Sequence, residues 1–351
     1  MRIAQVPPLY EAVPPRFYGG TERVVAHLSD ALVDLGHEVT LFSSADARTR
    51  ARLVPVRDQA IRLDPKPLKS DLAAHMAMLV EVRRRAAEFD VIHFHTDMIH
   101  FPFFEDMAEK TLTTLHGRLD LADLAGVYAA WPQFPLVSIS DDQRRPLVDA
   151  HWAGTVLHGM SADLYRVHPR SEGYLAFLGR VSPEKRPDRA IEIARRLGKP
   201  LKMAAKVDPA DQAYFQDKIE PMILSNPHVT FVGEIGDAEK SDFLGGAEAL
   251  LFPIDWPEPF GLVMIEAMAC GTPVVAYACG STPEVIEDGV TGFLVRDLEG
   301  ACAATQAAAS LDRARVRQRF EARFSATAMA RRYLDLYARL DAGCAPLAAT
   351  A

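Results

Sequence analysis

The stretch 257–277, PEPFGLVMIEAMACGTPVVAY, decides how the chain is read. Pro257 and Pro259 disfavour helix around Glu258, whereas GLVMIEAMA is built of good helix formers. TPVVAY then reads as a strand. Two acids stand out. Glu258 falls in the loop before the helix, and Glu266 falls within it, among residues as apolar as Leu262 and Ala269. A carboxylate is costly to bury unless something pairs with it. Eight helical residues span at most about 12 Å. That separation suits two ends of one polar ligand better than a direct carboxylate pair. The helix start near Phe260 and Gly261 also offers free backbone N–H groups. Two salt-bridged structural acids would leave the same trace in the sequence.

The strand–helix alternation extends in both directions. RIAQV (2–6) reads as a strand, followed by a Pro/Gly-rich loop and a helix from about Thr21 to Leu35 that Gly36 stops. HEVTLFSS, DVIHFHT, KTLTTLH and FPLVSIS supply further strands. The pattern restarts after about Arg170 with GYLAFLGRV, the helix RPDRAIEIARRLG, and the strands PLKMAAKV, HVTFVGEI, AEALLFPI and TGFLV. Repeated strand–helix pairs imply parallel sheets covered on both faces. The reading is therefore an α/β chain with two halves of similar size, joined near YRVHPRSEG (165–173), with a last amphipathic helix from about Ser325 to Leu340. The tail GCAPLAATA reads as loose.

A length of 351 residues fits two domains. Hydrophobic residues at 49% and charged residues at 25% are ordinary for a soluble enzyme. A net charge of -8 argues against nucleic acid as the main partner. No run is long and apolar enough for a membrane span, and the start shows no secretory signal. Cys270, Cys279, Cys302 and Cys344 form no Cys-x-x-Cys pair and read as buried thiols in a reducing cytoplasm.

Ligands of doubly wound sheets bind beyond the carboxyl ends of the strands. There FLGRVSPEKRPDRA places Arg180 directly after a strand and Lys185 five residues on. Two such cations can hold a diphosphate. In RFYGGTERVV, Gly19 and Gly20 precede a helix start, where a backbone can approach an anion closely. His116 ends the strand TTLH. Each feature alone has a plain alternative: a solvated basic loop, a tight turn, a hydrogen-bonded structural histidine. His93 and His95 share one strand face, but no third residue completes a metal set, so no metal ligand is assigned. Arg83, Arg84 and Arg85 read as the solvated face of a helix.

Together these residues resemble the retaining glycosyltransferases of the GT-B fold, family four, or group 1 type. GRVSPEKR followed by the Glu-x7-Glu stretch EPFGLVMIEAMACGTPVVA, in that order and in the second α/β half, carries the resemblance. It implies two Rossmann-like doubly wound domains facing a central cleft. Residues 1–168 would be the acceptor side and 169–324 the nucleotide-sugar side, with the C-terminal helix 325–343 packing back on the first.

The resemblance also implies roles. Glu266 would bind ribose hydroxyls, which would donate to it in place of a protein cation, with water doing so in the empty enzyme. Glu258 would face the donor sugar. Phe260, Gly261 and Leu262 would lend backbone N–H groups, and Arg180 and Lys185 would neutralise the diphosphate. Gly19 and Gly20 would bring the first domain's backbone to that diphosphate, and His116 would contact the donor sugar. Ile235 or its neighbour Glu234 would border the base. Where many relatives carry Asn-Gly, this chain reads VLHGMSADLY, so His158 and Gly159 receive no contact.

The activity implied is hexosyl transfer from a nucleoside-diphosphate sugar, first UDP-glucose, to an unidentified acceptor. The anomeric configuration would be retained and neither metal nor cofactor required. The partners implied are donor and acceptor, with peripheral membrane contact open and the cytoplasm as location. A sugar-nucleotide epimerase and a non-catalytic sugar-nucleotide-binding protein are the alternatives.

Overall fold

The computed structural model describes residues 1–16, 19–66 and 70–341. The chain forms two compact units, Met1–Ser161 with Ser325–Ala351, and Ala162–Phe324.

The first unit holds a seven-stranded sheet: β1 (Arg2–Val6), β2 (Glu38–Ser44), β3 (Arg52–Arg57), β4 (Val91–Phe94), β5 (Thr111–Thr114), β6 (Leu136–Ser138) and β7 (Trp152–Thr155). Its order is β3-β2-β1-β4-β5-β6-β7, and every described pairing is parallel. The second unit holds β8 (Tyr174–Arg180), β9 (Leu201–Lys206), β10 (Val229–Gly233), β11 (Ala247–Phe252), β12 (Val274–Tyr277) and β13 (Gly292–Val295). Their order is β10-β9-β8-β11-β12-β13, again parallel. Both sheets thus place their first strand centrally, build outward on one side, then cross to the other. This is the Rossmann-like order, with its reversal point between β1 and β4 in one sheet and between β8 and β11 in the other.

The central strands explain why the sequence was readable. β4 and β11 are buried along their whole length, so both faces carry side chains away from water. The edge strand β3 is only partly buried and contains Pro55, and its residues carry no strand signal. Proline is tolerated there because an edge has one side without ladder bonds.

The segment 162–168, assigned to the first half by sequence, lies in the second unit. Arg317 donates to the carbonyls of Ala162 and Tyr165, at 2.6 and 2.9 Å, and ties it there. The helix Ala326–Asp341 belongs to the first unit and packs on the helix Gly20–Asp34. It buries Met329, Ala330, Tyr333, Leu336 and Tyr337, the spacing of a single helical face. Gly154 in β7 leaves room for it, since a Cβ there would lie 3.2 Å from Leu336.

Two expectations need correction. Arg83 pairs with Asp106 and lies over Phe104, and Arg85 pairs with Glu88 and lies over Phe42, so Arg84 is the most exposed of the three. Of the described cysteines only Cys270 is buried; Cys279 and Cys302 are partly exposed, and Cys344 lies outside the described residues, as does the tail. No helix of the described residues is long and apolar enough to cross a membrane.

Candidate active site

In the second unit the chain leaves β8 at Arg180 and makes a short 3-10 turn, Pro183–Lys185. It then passes through Arg186 in the left-handed conformation (φ 52) into the helix Pro187–Leu197. A non-glycine residue there is strained and must be held by its surroundings. Arg186 is held by Asp188 at 2.9 Å and Asp255 at 2.7 Å. Burial would raise the Asp188 carboxyl, but hydrogen bonds and charge from Arg186 and Lys218 outweigh it and hold it at about 2. The turn is joined to the loop after β11 through the Asp255 N–H, which donates to the Glu184 carbonyl at 2.9 Å. The two strand ends at the reversal point are thereby tied together.

Lys185 and Glu258 form an ion pair across this junction. The ammonium lies 5.0 Å from the centre of the Trp256 ring and 5.8 Å from that of Phe252. Trp256 Nε1 donates to the same Glu258 oxygen at 3.0 Å. Both ion-pair side chains are largely buried, 16% and 12% exposed. Arg180, by contrast, is 30% exposed and faces Glu184 at 3.0 Å, Asp208 at 3.6 Å and Asp211 at 3.7 Å. Its three carboxylate partners are only partly exposed, as Arg180 is, and a multiply charged anion would compete with them for the guanidinium.

The Glu258 loop rests on the turn after β12. Ser281 N–H donates to the Glu258 carbonyl at 3.0 Å, and Ser281 Oγ to the Phe260 carbonyl at 2.8 Å. Gly280 has φ 58, and a Cβ there would meet the Glu258 backbone N at 2.4 Å. Phe260 is buried, with its ring centre 6.3 Å from that of Phe324. Gly261 (φ 78) starts the helix Leu262–Ala269, whose N-terminus has no side-chain cap. Leu262 is its first residue and is partly exposed.

Glu266 is buried in that helix, and its partner is a protein cation. Lys240 Nζ lies 2.9 Å from Glu266 Oε1, and Tyr165 O–H donates to the same oxygen at 3.4 Å. The expectation that no cation is paired with Glu266 is therefore corrected. The ammonium comes from the helix Asp237–Gly245, and the loop before that helix carries the exposed Glu234 and the partly exposed Ile235. Asp237 adds a second acid 3.6 Å from Lys240.

In the first unit Gly19 precedes the helix Gly20–Asp34, which also lacks a side-chain cap. A Cβ on Gly19 would lie 2.8 Å from Pro15, so the chain is too close there for any side chain. Gly20 is the first helical residue. His116 follows β5, two residues past Thr114. Its Nε2 lies 2.8 Å from His95 Nδ1, and its ring stacks on His158 at 5.0 Å between centres. Burial pushes His116 down to about 3 and His93, His95 and His158 well below their usual range, so all four are neutral imidazoles at neutral pH. Both ring nitrogens of His93 meet side-chain oxygens, Tyr337 and Thr114, each at 2.7 Å. His95 is likewise engaged on both sides, by His116 and Gln5. No cluster of three or more metal-ligating side chains occurs among the described residues.

The second unit therefore brings Lys185, Glu258 and the start of the 262–269 helix into one contact network, with Arg180 at the neighbouring strand end. Glu266, Tyr165 and Asp237 form a second network around Lys240, and Ile235 lies in the loop before the helix that carries it. Residues 166–323 match the family model described as Glycosyl transferases group 1, and residues 18–147 match Glycosyltransferase Family 4. The two stretches together take in most of the chain. It belongs to the family-four glycosyltransferases of the GT-B fold.

The D-inositol 3-phosphate glycosyltransferase of Mycobacterium avium is 27% identical to this glycosyltransferase over 330 residues, covering 79% of this chain and 77% of that one. The enzyme of the same description from Mycobacterium tuberculosis is 26% identical, and the match spans 64% of its length, less than two thirds. A crystal structure of a glycosyltransferase involved in avilamycin A biosynthesis superposes with a TM-score of 0.75 at 27% identity, covering 98% of each chain. Sucrose-phosphate synthase from Thermosynechococcus elongatus shares the fold, with a TM-score of 0.76 at 20% identity, covering 98% of this chain and 100% of that one.

Several side chains of this glycosyltransferase's site networks escaped the sequence reading. Trp256 was adjacent to the quoted stretch, but nothing in the spacing tells that its N–H reaches Glu258. Lys240 and Tyr165 lie 26 and 101 residues from Glu266, and only the folded chain unites them. His158, to which the sequence assigns no contact, stacks on His116.

Proposed function

We propose that this glycosyltransferase moves a hexose, first glucose, from a UDP-linked donor to an acceptor with retention of configuration and without a metal. The observation that carries the reading is the Lys185–Glu258 pair at the reversal point of the second sheet, beside the uncapped helix start at Gly261.

Departure of a nucleoside diphosphate builds negative charge on the phosphates. Fixed cations and helix-end N–H groups stabilise that charge more in the transition state than in the ground state. Lys185 is preorganised for this, since its ammonium is confined between two rings and a carboxylate. Arg180 supplies a second cation, whose partly exposed carboxylate partners give way to the diphosphate. Glu258 then accepts hydrogen bonds from donor-sugar hydroxyls, and Phe260, Gly261 and Leu262 offer backbone N–H groups. Glu266, fixed by Lys240 and Tyr165, accepts from the ribose, and Ile235 borders the base. Gly19, Gly20 and His116 keep the roles that the family resemblance implies for them, at the diphosphate and at the sugar. With the leaving charge met by Arg180 and Lys185, no metal is needed and the leaving phosphate takes the acceptor's proton.

The test is a panel of UDP-, GDP- and ADP-linked sugars, with and without chelator, scored for slow donor hydrolysis and thermal stabilisation. The acceptor screen begins with D-inositol 3-phosphate, after the name of the mycobacterial relatives. UDP-glucose hydrolysis that survives chelation supports the reading. No response to any donor or to UDP overturns it, and epimerised donor without acceptor would replace transfer by epimerisation.

A further inference from the structure

The β1, β4 and β5 registers put Gln5 opposite His93 and Thr113 opposite Phe94, so Gln5, His93, His95 and Thr114 share one face of the first sheet. The C-terminal helix lays Tyr333 and Tyr337 on that face, and all six side chains are buried. With His116 they form one hydrogen-bonded chain: His116 to His95, His95 to Gln5, Gln5 to Tyr337, Tyr337 to His93, His93 to Thr114, Thr114 to Tyr333.

Such a chain has two self-consistent proton directions, and the Gln5 amide selects between them. Gln5 Oε1 lies 2.8 Å from His95 Nε2, and Gln5 Nε2 lies 3.2 Å from the Tyr337 hydroxyl. The amide nitrogen faces Tyr337 and the oxygen faces His95. An amide oxygen only accepts, so His95 carries its proton on Nε2. A neutral His95 then has a bare Nδ1, and His116 must donate to it from Nε2. Neutral His116 is left with a lone pair on Nδ1, an enclosed atom that has no hydrogen-bond partner among the described residues.

We propose that Gln5 and His95 are positioning residues that hold His116 in the Nε2–H tautomer, so that its Nδ1 is an acceptor reserved for a hydroxyl of the ligand. The tautomer follows from this unit alone; the identity of the hydroxyl as one on the donor sugar rests on the function proposed above. A bare Nδ1 repels phosphate oxygens and accepts from a sugar O–H. The ring is thereby matched to the uncharged part of a nucleotide sugar.

The experiment is long-range proton–nitrogen NMR on the full chain with 15N-labelled histidine, His116 being assigned from the spectrum of His116→Gln. The result expected is a protonated Nε2 and a bare Nδ1, constant between about pH 6 and 8. Gln5→Leu removes the acceptor, and His116 should lose the single tautomer. Gln5→Glu, which keeps an oxygen opposite His95 as carboxylate or acid, should restore it. In parallel, kcat/KM for donor hydrolysis should fall roughly tenfold in Gln5→Leu, the equivalent of one neutral hydrogen bond, while affinity for UDP alone is unchanged. A wild-type His116 protonated on Nδ1, or a tautomer indifferent to Gln5→Leu in a variant that remains folded, overturns the proposal. A wild type that shows the tautomer but binds no nucleotide sugar overturns the functional reading instead.

Discussion

Lys185 sits between Phe252 and Trp256 with Glu258 as counter-ion, so its charge is fixed before any ligand arrives. Lys185→Ala should therefore lower turnover by about 10²–10³-fold, by analogy with loss of one oxyanion donor, with a small change in KM. Steady-state hydrolysis of the best donor checks this. Glu266 gives a different outcome. Glu266→Ala should mainly weaken UDP binding, measured by titration calorimetry, and unchanged affinity would refute its ribose contact. Lys240→Ala leaves that buried carboxylate with the Tyr165 hydroxyl as its partner among the described residues, which should destabilise the fold by about 3 kcal/mol in urea unfolding.

Elements set where those residues can point. The turn at Gly280 supports the Glu258 loop by contact with its backbone, and both a positive φ and an occupied Cβ position forbid a side chain there. Gly280→Ala should displace Glu258 and reduce kcat/KM at least tenfold while UDP affinity, which depends on Glu266, changes little. The helix 326–341 and the strand face beneath it form the other critical element. Its imidazoles are neutral in the fold because burial lowers their affinity for protons, to about 3 for His116 against 6.5 for an ordinary imidazole. In that interval the unfolded chain binds more protons, so stability is full above pH 6.5 and is lost as pH falls toward 3. Each buried imidazole adds a slope of about 1.4 kcal/mol per pH unit there. Urea unfolding between pH 7 and 5 should show a steep loss of stability, flattened in His93→Gln.

At the scale of the whole molecule, the chain passes from the first unit to the second and returns with its last helix. Residues 162–324 include the Lys185–Glu258 network, the Lys240–Glu266 network and their own apolar core. Expressed alone, this segment should fold and keep UDP affinity within about tenfold, as judged by calorimetry. The segment 1–161 alone should not fold, because the face under Tyr333 and Tyr337 would lie open, with His93 and Thr114 each deprived of a tyrosine partner. A soluble, cooperatively unfolding 1–161 fragment would contradict that.

The sequence by itself determined the α/β class, the doubling of the strand–helix pattern, and the placing of Arg180, Lys185, Glu258 and His116 at strand ends. Those are local matters of period, proline and glycine, written in consecutive residues. Edge strands such as β3 were not legible, since half-buried positions carry no sustained apolar run. What only the tertiary structure decided is pairing over long distances: Lys240 and Tyr165 on Glu266, Gly280 under Glu258, and Tyr337 on His93 across 244 residues. A buried polar group must find a partner, but its own segment does not say which; the choice is made by whichever distant side chain the packed sheet brings within hydrogen-bonding reach.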